Sequence, residues 1–301
     1  RKRGAAMTTA TRQDGTKPSD LNLSRRGLAG AALGGYAVFA LSAQAEPITT
    51  PETGLVTETV QLSPPDTQIP AYLARPDGAG PYPVVIVVSE IFGVHEYIRD
   101  VCRRLAQLGY VAMAPDFFAR AGDPSGMSDY AEIRKIVATA TDEQVMGDLS
   151  AAMAFLKAQD YAQADTAAIT GFCWGGNITW QACQRLNLFK AGVAWYGRLA
   201  RPADAPADER QWPVDMAEDL SAPVLGLYAG KDQGIPLSDV EKMRSALAAA
   251  GKTDSEIIVY PESQHGFHAD YRSAYDADAA KDGWTRMLAH FAEHDVAPVP
   301  V

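Results

Sequence analysis

The sequence predicts an α/β fold, a mostly parallel central sheet with helices on both faces. Three observations carry that expectation. Short apolar runs alternate with helical patterns along most of the 301-residue chain, as in strands joined by crossover helices. One run, Val84-Val85-Ile86-Val87-Val88, is apolar without a break, which suits a strand covered from both sides. Gly171-Phe172-Cys173-Trp174-Gly175-Gly176 then joins an apolar stretch to a helical one through a turn crowded with glycine.

Taken in order, Leu55–Leu62 and Ile69–Arg75 alternate and flank Ser63-Pro64-Pro65-Asp66, so they read as an antiparallel pair at a sheet edge. Pro83–Ser89 is the buried strand. Tyr97–Leu108 places Ile98, Val101, Leu105 and Leu108 on one helical face, and Gly109 marks its end. Val111–Ala114 is the next strand, and Asp116–Ser128 a loop with Gly122, Pro124 and Gly126. Tyr130–Ala138 and Asp142–Ala158 are helical. Thr166–Thr170 is the strand before the glycine turn and Asn177–Leu186 the helix after it. Ala191–Trp195, Val224–Ala229 and Glu256–Tyr260 complete the strands, and Leu237–Ala249 and Ala274–Glu293 the helices. Arg201–Asp219, rich in Pro, Ala and Asp, reads as a surface excursion. One domain accounts for residues 46–301, its elements falling between about residues 50 and 295.

Residues 1–45 differ in kind. Ser24-Arg25-Arg26-Gly27-Leu28 precedes a mild apolar run, Ala29–Leu41, and Ala43-Gln44-Ala45 closes it before Glu46-Pro47. A basic region, an apolar core and small residues at a cleavage site describe an export signal. Paired arginines before a Gly/Ala-rich core make it the twin-arginine type, with cleavage after Ala45 and a periplasmic destination. These 45 residues hold seven of the 27 Lys/Arg and two of the 37 Asp/Glu, so the remainder carries a formal charge near −15. So acidic a body argues against nucleic acid and against membrane surfaces as partners of the mature form. A small molecule is the expected partner. Oligomeric state is open.

Cys173 is the candidate nucleophile. A Gly-x-nucleophile-x-Gly turn between strand and helix is the nucleophile elbow of α/β-hydrolases, and it sets the side chain on a strained, exposed turn. It also lies at a helix N-terminus, where the dipole and free N–H groups favour a thiolate and a developing oxyanion. Cys102 and Cys183 fall in helical patterns as core residues, and three cysteines do not form a paired framework. Asp232 follows the strand Val224–Ala229 and His265 follows Glu256–Tyr260, so nucleophile, acid and His occur in the α/β-hydrolase order. His265 would move the thiol proton and Asp232 would orient the imidazole. The N–H groups of Trp174 and Ile91 are the candidate oxyanion donors. Glu90 ends the buried strand and brings a carboxylate to the same sheet edge. His265-Gly266-Phe267-His268 lacks a third ligand at metal spacing, and His95, His290 and His294 read as surface or helix-end residues. Neither a metal nor a cofactor is expected.

Glu90-Ile91-Phe92-Gly93-Val94, Pro115-Asp116-Phe117-Phe118-Ala119-Arg120, the Cys173 turn, Gly230-Lys231-Asp232 and His265-Gly266-Phe267 together resemble the dienelactone hydrolase family over about residues 55–295. The resemblance implies a hydrolase of lactones or activated esters, carboxymethylenebutenolidase-like, with a Cys-His-Asp triad. It implies that Glu90 takes the thiol proton once substrate binds, and that arginines steady an anionic substrate. Arg120 matches one of these. The second falls four residues after the triad His in the family, where this chain has Ala269, and Arg272 is the nearby substitute. A general carboxylesterase on the same fold and a non-catalytic thiol-sensing protein are the alternatives.

Overall fold

The computed structural model describes residues 46–205 and 208–301; residues 1–45, expected to be an export signal, lie outside the described residues. Among these, eight strands form one sheet in the order β1-β2-β4-β3-β5-β6-β7-β8. They are β1 (Leu55–Leu62), β2 (Ile69–Pro76), β3 (Tyr82–Val88), β4 (Val111–Pro115), β5 (Ala162–Phe172), β6 (Ala191–Trp195), β7 (Val224–Ala229) and β8 (Glu256–Tyr260). β1 pairs antiparallel with β2, and β2 antiparallel with β4; every other pairing is parallel. This is the expected antiparallel pair at the edge of a parallel sheet.

Strand periodicity divides the core. Val84, Ile86 and Val88 face one apolar layer, and Val85 and Val87 face the other. Helices α3 (Asp142–Lys157), α4 (Trp174–Arg185) and α5 (Leu237–Ala249) supply the first layer through Leu149, Ile178 and Met243. Helices α1 (Glu96–Gln107) and α6 (Ala277–Glu293) supply the second through Val101, Leu105, Trp284 and Phe291. Helix α2 (Tyr130–Thr139) sits over the edge with only Ile133 buried.

Three segments depart from the sequence expectation. β5 starts four residues before Thr166, where Ala162 and Gln163 pair with Tyr82 and Pro83 before a register shift. Those residues are partly exposed and carry no apolar signal. α6 begins at Ala277 rather than 274, because the Asp276 side chain caps it by accepting from the Ala279 N–H. Within Arg201–Asp219, residues Pro213–Asp219 form a 3-10 turn that buries Met216 and Ala217, so the excursion returns to the core.

The parallel register gathers the chemistry at one edge. β3, β5, β6, β7 and β8 all end there, where ligands meet open α/β sheets. Glu90, Cys173, Tyr196, Asp232 and His265 each follow one of those ends.

Candidate active site

Cys173 lies between β5 and α4 with φ 56° and ψ −115°, a backbone conformation that L-residues seldom adopt. Close approach on all sides holds it there. A Cβ on Gly171 would stand 2.1 Å from the Gly175 carbonyl oxygen, and one on Gly175 would stand 2.3 Å from that of Val88. Glycine is required at both, because α4 is drawn against the end of β3. The Cys173 N–H donates to Trp195 O at 3.0 Å, fastening the turn to β6. Trp174 opens α4, so its N–H has no acceptor within the helix. Ile91 lies in the turn after β3, the strand end that α4 approaches.

His265 is half-buried, with Nδ1 at 2.7 Å from Asp232 Oδ2. Asp232 is held by its other oxygen, which accepts the N–H groups of Gly234 at 2.8 Å and Ile235 at 3.1 Å. The two loops are joined as well. Lys231 N–H donates to Ser263 O at 2.9 Å, and Gly230 N–H to Tyr260 O at 2.8 Å. The Cys173 side chain acts on the charge of the His265 ring, and Tyr196 meets the same ring edge-on at 5.1 Å. Burial disfavours the imidazolium, but the Cys173 and Asp232 side chains outweigh it and push His265 above the usual imidazole range.

Glu90 is fully buried. Its Oε2 accepts the Tyr271 hydroxyl at 2.5 Å and faces His95 Nε2 at 3.4 Å, while Oε1 lies 3.7 Å from Arg272 Nη1. Burial alone would raise its carboxyl. The opposing pull of His95, Arg272 and Tyr271 is larger, and it lies below the usual glutamate value. Arg272 folds over Gly266, whose Cβ would be 2.9 Å from Nη1, and its guanidinium stands 5.9 Å above the Phe92 ring. Its charge acts on Cys173 as well as on Glu90.

The structure therefore brings Cys173, His265, Asp232, Glu90 and Arg272 to one place, with Ile91 and Trp174 beside them. It places Arg120 elsewhere in bonding. Asp66 takes its Nε and Nη2 at 2.6 and 2.7 Å, and Asp148 takes Nη1 and Nη2 at 2.9 and 2.8 Å. Two carboxylates fill the fork that was expected to meet a substrate anion. Ala269 is fully buried.

Sequence reading missed His95 and Tyr271. His95, expected at a surface or helix end, is the N-cap residue of α1 but is buried against Glu90. Its spacing of five residues from Glu90, across a glycine turn, was the available signal. His268 lies away from the other site histidine in its bonding. It is buried among Phe172, Trp195 and Trp284, with Nδ1 at 2.7 Å from the Tyr97 hydroxyl, and burial holds it well below the usual imidazole value. Among the described residues no group of three or more His, Cys, Asp or Glu is arranged to hold a metal. Cys102 and Cys183 are buried free thiols, both pushed up by burial, Cys183 to about 12.

A parallel sheet with a thiol on a strained strand-to-helix turn, and an Asp–His pair beside it, defines an α/β-hydrolase. The family profile described as "Dienelactone hydrolase family" matches residues 69–295, and the chain belongs to that family of carboxymethylenebutenolidase-like hydrolases. A protein of Methylorubrum extorquens named "Putative carboxymethylenebutenolidase" is 51% identical over 251 residues, 83% of this chain and 85% of that one. One of the same name from Escherichia coli K12 is 45% identical over 262 residues, covering 86% and 95%. The crystal structure of a "Putative Dienelactone Hydrolase" from Klebsiella pneumoniae is 48% identical with a TM-score of 0.74, covering 79% of this chain and 99% of that one.

Proposed function

We propose that the protein hydrolyses lactones or activated carboxylic esters, preferring anionic ones, through Cys173, His265 and Asp232. The observation that carries this reading is the Cys173 side chain on its φ 56° turn, acting on the charge of a His265 ring held by Asp232.

The Cys173 thiolate attacks the ester carbonyl, and negative charge moves to the carbonyl oxygen. The N–H groups of Trp174 and Ile91 receive that charge. The tetrahedral species collapses, the C–O bond breaks, and the departing alkoxide takes the Nε2 proton of His265, which enters the cycle as the imidazolium and becomes neutral. A thioester remains on Cys173. Neutral His265 then draws a proton from water and is the imidazolium again, the hydroxide attacks the thioester, the C–S bond breaks as the acid product leaves, and the proton held by Glu90 returns to the Cys173 sulfur. Asp232 keeps Nδ1 protonated, so Nε2 serves Cys173 throughout.

Glu90 governs the first step. With Arg272 beside it, its carboxylate is held as an anion away from proton transfer. A substrate carboxylate engages Arg272, removes that partner, and leaves Glu90 as acceptor of the thiol proton. Arg120, already occupied by two aspartates, is left out of substrate binding in this reading, and Arg272 takes the role. The enzyme works outside the cytoplasm after export through the twin-arginine signal.

The test is a panel of lactones and linear esters, each as free acid and methyl ester, on purified mature protein. Wild type is expected to turn over carboxylated lactones best, and Cys173→Ala is expected to turn over none. Residual turnover near wild type in Cys173→Ala would remove the nucleophile. A preference for neutral linear esters would make the protein a general carboxylesterase.

A further inference from the structure

The buried shell around Glu90 treats its two oxygens differently. Oε2 accepts the Tyr271 hydroxyl at 2.5 Å and is faced by His95 Nε2 at 3.4 Å, a close approach without a hydrogen bond. Oε1 accepts no hydrogen bond among the described residues and faces Arg272 Nη1 at 3.7 Å. A buried carboxylate oxygen without a hydrogen bond is costly, so its persistence needs a reason.

His95 is placed for this contact rather than for the helix it begins. N-cap side chains ordinarily accept from the first turn, but His95 makes no such bond. Its ring meets Tyr271 edge-on at 5.1 Å and Phe92 at 6.1 Å, and lies over Tyr97 at 5.8 Å. Three aromatic neighbours thereby fix the direction of Nε2. Tyr271 is almost fully buried, and burial keeps its phenol protonated well beyond the usual range. It donates to Oε2 and has no proton to give away at working pH.

We propose that His95 and Tyr271 are positioning residues for Glu90, holding Oε2 so that Oε1 is the atom that receives the Cys173 proton. This rests on Glu90 being the acceptor in the mechanism proposed for hydrolysis. The S–H bond of Cys173 breaks, an O–H bond forms at Oε1, and the electron pair stays on sulfur for attack. The Tyr271 proton remains on its own oxygen. Titratable and charged groups facing Glu90 are His95 and Tyr97 from α1, Tyr196 after β6, and Tyr271 and Arg272 after β8. The Tyr97 and Tyr196 phenols are kept neutral by burial. Loss of a donor at Oε2 makes the carboxylate a less stable anion. Its titration therefore moves to higher pH, and the acid limb of the rate profile moves with it.

The experiment measures kcat, KM and the pH profile of kcat on the best substrate of the panel, for wild type, Glu90→Gln, Tyr271→Phe, and both changes combined. Glu90→Gln is expected to lower kcat by about 100-fold. Wild-type kcat in that variant would sink the role of Glu90 itself. Given that loss, Tyr271→Phe is expected to lower kcat roughly 10- to 100-fold with KM unchanged, and to move the acid limb upward. In the Glu90→Gln background it should cost nothing more. Wild-type kcat and acid limb in Tyr271→Phe would overturn the positioning role alone. So would a loss of equal size at every pH that persists beside Glu90→Gln, since that is the mark of packing. If Tyr271→Phe does not fold, His95→Gln against His95→Leu decides. The amide keeps a polar N–H facing Oε2 and should keep more of kcat and a lower acid limb than leucine; equal profiles for the two would overturn the proposal.

Discussion

Arg120 and Arg272 carry the same charge and are used in opposite ways. Arg120 spends its fork on Asp66 and Asp148, and these hydrogen bonds hold its own guanidinium charged and pull Asp66 down to about 2. Asp148 is fully buried, and burial raises its carboxyl even beside Arg120. Arg272 has only a loose contact with Glu90, at 3.7 Å, and keeps a quarter of its side chain exposed. A planar guanidinium can grip a substrate carboxylate through two parallel bonds that an ammonium cannot copy. Arg272→Lys is therefore expected to weaken kcat/KM for a carboxylated lactone by roughly 1.5–3 kcal/mol, and for its methyl ester far less. Arg120→Lys should leave the ratio of the two substrates unchanged and lower the melting temperature instead. Matched acid and ester kinetics on both variants read this directly. A selective loss for the acid in Arg120→Lys would return the substrate role to that residue.

At the scale of elements, α1 is what positions the loop after β8. Tyr97 meets His268 at 2.7 Å, Arg104 donates to Asp270 at 2.6 Å, and Tyr271 and Arg272 follow directly in the chain. Arg104 also binds Asp100 at 2.6 Å, so one buried guanidinium holds two buried carboxylates. Arg104→Met is expected to destabilise by about 3–5 kcal/mol, because both acids stay buried with less compensation. The penalty should depend on pH. Burial lifts Asp270 to about 6 even with Arg104 beside it. A carboxyl raised in the folded state binds its proton more readily there, so folding weakens as pH rises from the unfolded value through the folded one. Removing Arg104 moves that window higher, and the penalty should be larger at pH 8 than at pH 5. Urea unfolding at both pH values measures it, and equal penalties would mean that Asp270 is not the source. Apart from the Asp100–Arg104 pair, four residues apart on α1, this network could not be read in the sequence, because its partners are far apart along the chain. Glu90 and Tyr271 are separated by 181 residues, and Arg104 and Asp270 by 166. The strands and the Cys173 turn were legible because apolar periodicity and obligatory glycines are local signals. The first residues of β5 were not, since Gln163 lends the sheet only its backbone and the register then shifts past Asp165.

At the scale of the whole chain, the proposed cleavage point stands directly before a docked strap. Thr50 N–H donates to Asp100 at 2.5 Å, and Arg103 Nε donates back to Thr50 O at 3.1 Å. Gln107 holds the carbonyls of Pro51 and Thr53, each at 3.1 Å. Residues 50–53 thus lie along α1, beside the Asp100–Arg104 pair that secures the loop carrying Arg272. Cleavage after Ala45 leaves all of these contacts intact, whereas cleavage beyond Thr50 would strip Asp100 of a backbone donor. If the chain is processed as proposed, the strap sets a downstream limit on the cut, and Ala43-Gln44-Ala45 lies within it. Arg25-Arg26→Lys-Lys is expected to leave the unprocessed chain in the cytoplasm, and the wild-type mature chain to begin at Glu46. N-terminal sequencing of cytoplasmic and periplasmic fractions distinguishes the outcomes. A wild-type chain that keeps Arg25-Arg26 and stays wholly cytoplasmic would defeat export, and one that begins beyond Thr50 while retaining full stability would show that the strap supports nothing.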